Sequence, residues 1–189
     1  MGMNRSIICG LLTVLLLYPV SSPVFSKGVT NKEEALKQAF PGATAIERQD
    51  VFLEDAELKR IEALSKSKLE SKLFTFYRGE NNGTVLGYAF IGTRVIRTKP
   101  AVYLVLIRPD GSIERLSILA FHEPEEYLPA DRWFTRFSNR VLDDELWPKK
   151  GIDAVTGATM SVNGLTQEAR MILAVFGVMI KDKAPLTTK

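Results

Sequence analysis

The chain has one cysteine and one histidine in 189 residues. The cysteine, Cys9, lies inside an apolar run near the N-terminus, so the remainder carries no thiol. That excludes a disulfide framework, a cysteine-ligated zinc site and an iron–sulfur cluster in the body of the protein. His122 alone makes no metal site, and its place at a strand end suits a satisfied structural histidine. Charge of one sign is scarce too: 25 basic against 22 acidic side chains leave a net +3, too weak to point to nucleic acid as a partner. There is no glycine-rich dinucleotide fingerprint, no internal repeat and no low-complexity segment. Stability must come from an apolar core, for which a 46% apolar composition is ample.

The long apolar runs that are present fall at the two ends. Residues 7–20 form an apolar stretch after Arg5, and Ser21-Ser22-Pro23-Val24-Phe25-Ser26 follows, with Val24 and Ser26 at the −3 and −1 positions of a cleavage site. This is the pattern of a secretory signal peptide over residues 1–26, and the stretch is short of the roughly 20 apolar residues of a full membrane span. An uncleaved anchor is the alternative, and either places the domain outside the cytoplasm, in a periplasm or its equivalent. The second run, residues 162–180, reads as a helix packed on a sheet.

Between these runs the pattern predicts an α+β domain, an antiparallel β-sheet with packed helices. Thr30 and Glu33 form a capping box for a short helix ended by Pro41-Gly42. A strand follows over residues 45–53, then a charged helix over 54–68 whose polar face is solvated. Residues 27–72 thus form a mostly helical N-terminal extension, and residues 73–183 the main body. Strands are predicted over residues 73–77, 84–91, 101–107 and 112–119, with 101–107 apolar throughout and therefore interior, and Pro109-Asp110-Gly111 as a hairpin turn. Residues 121–148 look irregular, with a short helix over 130–139 that turns Trp133, Phe134 and Phe137 inward. Asp143-Asp144-Glu145 are too closely spaced for a calcium loop and read as a solvated turn.

The most informative stretch joins this region to the last helix: Asp153-Ala154-Val155-Thr156-Gly157-Ala158-Thr159-Met160-Ser161. Gly157 allows a tight turn and close approach of a ligand to the backbone. Ala158 keeps the site small, while Thr156, Thr159 and Ser161 put hydroxyls at a helix start. The first N–H groups of a helix lack internal partners and its dipole favours an anion there. Asp153 is placed to brace the loop by accepting from backbone N–H groups. Such a loop holds a phosphate or simply caps the helix. Lys149 and Lys150 precede it and would offset a negative ligand.

The Asp-x-x-Thr-Gly-Ala-Thr motif resembles the attachment signature of the FMN-binding domain family, which includes the flavin-carrying subunits of the sodium-pumping NADH:quinone oxidoreductase and of the Rnf complex. Gly87-Tyr88, Asp110-Gly111 and His122-Glu123 stand upstream in the family's order, so the resemblance runs from about Leu73 to the last helix. It implies FMN joined through its phosphate to Thr159 by a flavin transferase, with Asp153, Thr156, Gly157, Ala158 and Ser161 around it. Glu126 and Tyr127 would border the isoalloxazine, Tyr127 stacking on the ring and Glu126 accepting from its N–H edge. The complex subunits carry Glu-Thr-Pro-Gly-Leu-Gly after the histidine-bearing strand end; here the segment is His122-Glu123-Pro124-Glu125-Glu126-Tyr127-Leu128-Pro129. That departure is closer to the shorter, stand-alone exported members. The implied role is an electron carrier with a membrane-associated redox partner rather than a complete enzyme. Two alternatives stay open: a small exported flavin reductase acting on an organic substrate, and a non-redox module in which the motif only caps a helix.

Overall fold

The computed structural model describes residues 31–183. The signal-peptide segment expected over residues 1–26 lies outside them. Five strands form one sheet in the order β1-β2-β3-β4-β5: Ala45–Phe52, Leu73–Asn81, Thr84–Val95, Pro100–Ile107 and Ile113–Phe121. Each pairs antiparallel with its neighbour in sequence, so the sheet is a meander. The α+β expectation holds. β4 is flanked by β3 and β5, as its unbroken apolar run requires, and the Asp110-Gly111 turn closes the β4–β5 hairpin.

One face of the sheet packs against α4, Thr159–Phe176, and α2, Asp55–Ser65. Phe74, Phe76 and Phe90 from the strands meet Leu165, Ile172 and Phe176 from the helix in the main core. Phe76 and Phe176 lie with ring centroids 6.2 Å apart, in the tilted arrangement aromatic quadrupoles favour. The other face is covered in part by α1, Lys32–Ala39, which buries Ala35, Leu36 and Ala39 against Tyr77, Ala89 and Leu104. Phe40 seats the end of α1 directly on the glycine of β2: a Cβ at Gly79 would come within 2.5 Å of its ring. The helix N-cap is Asn31, whose side chain accepts from Glu33 N–H at 3.1 Å, one residue later than the expected Thr30 box. An Asx cap needs only the next turn's N–H and no reciprocal glutamate.

α4 starts at Thr159, two residues before the expected Ser161, and passes into a π-helical turn over Gly177–Lys181. It is buried over most of its circumference, and two charged side chains are buried with it. Glu168 receives the Tyr103 hydroxyl on one oxygen and the Arg94 guanidinium at 2.7 Å on the other. Arg170 donates to the Leu64 and Ser65 carbonyls that end α2 and to the carbonyls of Asp143 and Leu146, and stacks 4.4 Å from the Trp147 ring. One guanidinium therefore ties the helix to the segment that leads into the motif loop. Among the described residues no helix is long and apolar enough to cross a membrane.

Candidate functional site

The motif loop leaves the Trp147–Ile152 turn and enters α4. Gly157 has φ +86°, a left-handed conformation that costs any other L-residue roughly 1–2 kcal/mol, and open space lies where a Cβ would stand. Ala158 is the N-cap, and no side chain caps the helix. Ala158 is buried; Thr156, Gly157 and Thr159 are exposed. Thr159 is thus the first helical residue, its hydroxyl beside a turn of uncapped N–H groups that contains no acidic side chain. A helix start in this state attracts an anion by its dipole and its free donors together.

The loop is braced differently from the sequence expectation. Asp153 points its carboxylate at Arg136, with Nε–Oδ2 at 2.8 Å, rather than at motif N–H groups. Its carbonyl accepts from the Trp133 indole N–H at 2.8 Å. Trp133, on α3 (Asp131–Phe134), is a core residue as expected, buried edge-on against Phe134 and Phe137. It therefore fixes the motif loop from beneath.

Ser161 and Tyr127 are brought together. The Ser161 hydroxyl, almost fully buried, donates to the Tyr127 carbonyl. Tyr127 ends a 3-10 turn, Glu125–Tyr127, and is half-buried, while Glu126 is exposed. Ser161 is consequently engaged in holding the 125–127 segment against the helix start, a role for which spacing alone gives no signal. Asp143 caps the following turn through Glu145 and Leu146 N–H, and Asp144 pairs with Lys66. Among the described residues no cluster of three His, Cys, Asp or Glu side chains forms a metal site. Lys149 and Lys150 are exposed beside the loop, and His122 is exposed just after β5.

Two site neighbours, Glu123 and Arg97, make contacts that no sequence signal announces. Glu123 is buried, and one of its oxygens accepts from the N–H groups of Arg97 (3.1 Å), Thr98 (2.5 Å) and Lys99 (2.8 Å). The Thr98 and Lys99 N–H groups, with Arg97, hold its carboxyl below the ordinary glutamate range. Arg97 lies 4.2 Å from the Tyr127 ring centroid. A separate groove of about 300 Å³, between Arg60, Leu64, Val141, Phe176 and Lys181, opens at the far end of α4. It lies about 25 Å along the helix from Thr159, at 1.5 Å per residue, and is no part of this site.

With this geometry in hand, the comparisons fall on the same elements. Residues 98–174 match the family model described as FMN-binding domain. This stretch is related to that family. It runs from the β3–β4 hairpin through the 125–127 turn and the motif loop to the last turn of α4. The fold is also that of a solved structure, the crystal structure of Shewanella oneidensis NqrC, at 13% identity and TM-score 0.50, covering 83% of this chain and 90% of that one. Comparison with curated proteins finds no match. The residues fit the phosphate of a flavin mononucleotide: an exposed hydroxyl at an uncapped helix start and a glycine with open space above it.

Proposed function

We propose that the protein is an exported flavoprotein that carries FMN esterified through its phosphate to Thr159 and relays electrons between a membrane-associated donor and an acceptor outside the cytoplasm. The observation that carries this reading is Thr159 itself: exposed, first in a buried and uncapped helix, inside the stretch matched by the FMN-binding domain model. The bound flavin supplies the redox chemistry; the chain supplies placement and tuning. The free N–H groups of the α4 start and its dipole stabilise the phosphodiester charge. Gly157 lets the backbone turn under it, Asp153 and Trp133 hold the loop, and Ser161 anchors the Tyr127 turn next to it.

Covalent attachment suits an exported carrier. Occupancy of a non-covalent site follows free ligand over dissociation constant, and free flavin is scarce outside the cytoplasm. An ester at Thr159 removes that dependence and permits an exposed ring that a partner protein reaches directly. Maturation then requires a flavin transferase. Co-expression of the mature chain with such an enzyme, followed by intact mass, tests the reading: one FMN adduct on the wild type and none on Thr159→Ala is expected. A wild type without added mass, or an adduct that survives Thr159→Ala, contradicts it.

A further inference from the structure

Three arginines stand near the motif loop or the first turns of α4, and they are treated differently. Arg94 is neutralised by Glu168 and Arg136 by Asp153. Arg97 makes no ion pair among the described residues, yet its position is fixed at both ends. Its backbone is held by the nest of three N–H groups closed on the buried Glu123 carboxylate. Its guanidinium is held over the ring of Tyr127, whose carbonyl is in turn held by Ser161 of α4. The β3–β4 hairpin and the 125–127 turn thus hold one guanidinium without an ion-pair partner among the described residues, stacked on the ring of Tyr127, whose backbone Ser161 ties to the first turn of the motif helix. Arg97 is exposed, so these restraints fix its place without taking it out of solvent.

We propose that Arg97 is the electrostatic tuning residue of the flavin site, favouring the reduced ring system. This rests on the FMN reading above. A full reduction takes two electrons from the donor and one proton from solvent, so the ring system gains one negative charge. On the FMN reading Tyr127 borders the ring system, and a fixed cation stacked on Tyr127 then stabilises the charged form over the neutral one. Arginine suits the task better than lysine, because its planar guanidinium stacks on Tyr127 and stays charged at every working pH. Glu123 acts through Arg97 as a positioning residue.

The test uses the mature chain co-expressed with a flavin transferase as wild type, Arg97→Gln and Arg97→Lys. Each is checked by intact mass for one FMN and then titrated with dithionite against reference dyes in a spectroelectrochemical cell. Arg97→Gln is expected to keep its FMN and to shift the oxidised-to-reduced equilibrium about tenfold toward the oxidised ring, the order of effect of one partly screened charge. For a two-electron couple that is a midpoint about 30 mV more negative. Arg97→Lys retains the charge and falls between the two, and the differences shrink in high salt. A flavinylated Arg97→Gln with the wild-type midpoint overturns this inference and leaves the proposed function standing. A wild type that carries no flavin overturns both.

Discussion

Ser161→Ala removes one oxygen from a site with almost no solvent contact and nothing else. Ser161 is 1% exposed, so alanine fits the space already made. The change deletes the hydroxyl that donates to the Tyr127 carbonyl. A typical net hydrogen bond contributes about 0.5–1.5 kcal/mol, and a buried acceptor left without a donor costs about 1–3 kcal/mol. The Tyr127 residue is only half-buried, so water replaces part of the loss, and the expected cost is about 1–2 kcal/mol. For a domain of this size each kcal/mol lowers Tm by roughly 2–4 °C, which gives a fall of about 2–8 °C. The effect has a local signature as well. With the 125–127 turn released from α4, amide exchange at Tyr127 and Leu128 should accelerate while that of the α4 interior stays near wild type. Flavin attachment should persist, because Thr159 keeps its hydroxyl and the backbone N–H groups of the first α4 turn are unchanged. Thermal unfolding and residue-resolved exchange check both parts. An unchanged Tm together with unchanged protection at Tyr127 would refute the claim that Ser161 anchors that turn.

Further outcomes follow from the same contacts. Trp133→Phe keeps most of the ring packing but loses the indole donor to the Asp153 carbonyl, and should cost about 1–3 kcal/mol in urea unfolding; a loss within a few tenths would mean the indole does not brace the loop. Tyr103→Phe takes the hydroxyl from the buried Glu168 carboxylate, a bond to a charged group, for an expected loss of about 1.5–3 kcal/mol; a neutral result would show that Arg94 alone satisfies Glu168. Glu123 has a carboxyl held below its ordinary range in the folded state, so the unfolded chain takes up its proton first. Its stabilisation is complete above the unfolded value of 4.5 and is lost as pH falls through the folded one. The acid-induced drop in urea midpoint should therefore be smaller in Glu123→Gln than in wild type; equal drops would exclude Glu123 as a contributor.

The strands were legible wherever one face is apolar and the ends carry turn residues. Residues 101–107 read as an interior strand because both faces are buried, and the observed β4 has neighbours on both sides. Element ends were less legible: β3 continues to Val95, four residues past the expected end, since cross-strand pairing with Pro100–Leu104 carries it through Gly92. The motif loop and its helix stood out because glycine and threonine before an apolar run is a local signal. What escaped is non-local. Glu123 and Arg97 are separated by 26 residues and meet only because the β3–β4 hairpin folds back on the end of β5. Glu168 and Arg170 interrupt an apolar helix, yet both are buried, with partners on strands and on the α2 terminus, and nothing local in the sequence signals those partners. Asp153 was read as a brace for backbone donors because its distance from Arg136 in sequence hides their pairing.

The central claim is a bond between the Thr159 oxygen and a flavin phosphate. Peptide mass mapping across residues 151–170 of protein exported from its native host, with the visible spectrum of the same sample, tests it most directly. A peptide heavier by one esterified FMN, fragmenting at Thr159, from a yellow protein is expected. A colourless sample with an unmodified Thr159 peptide would contradict it.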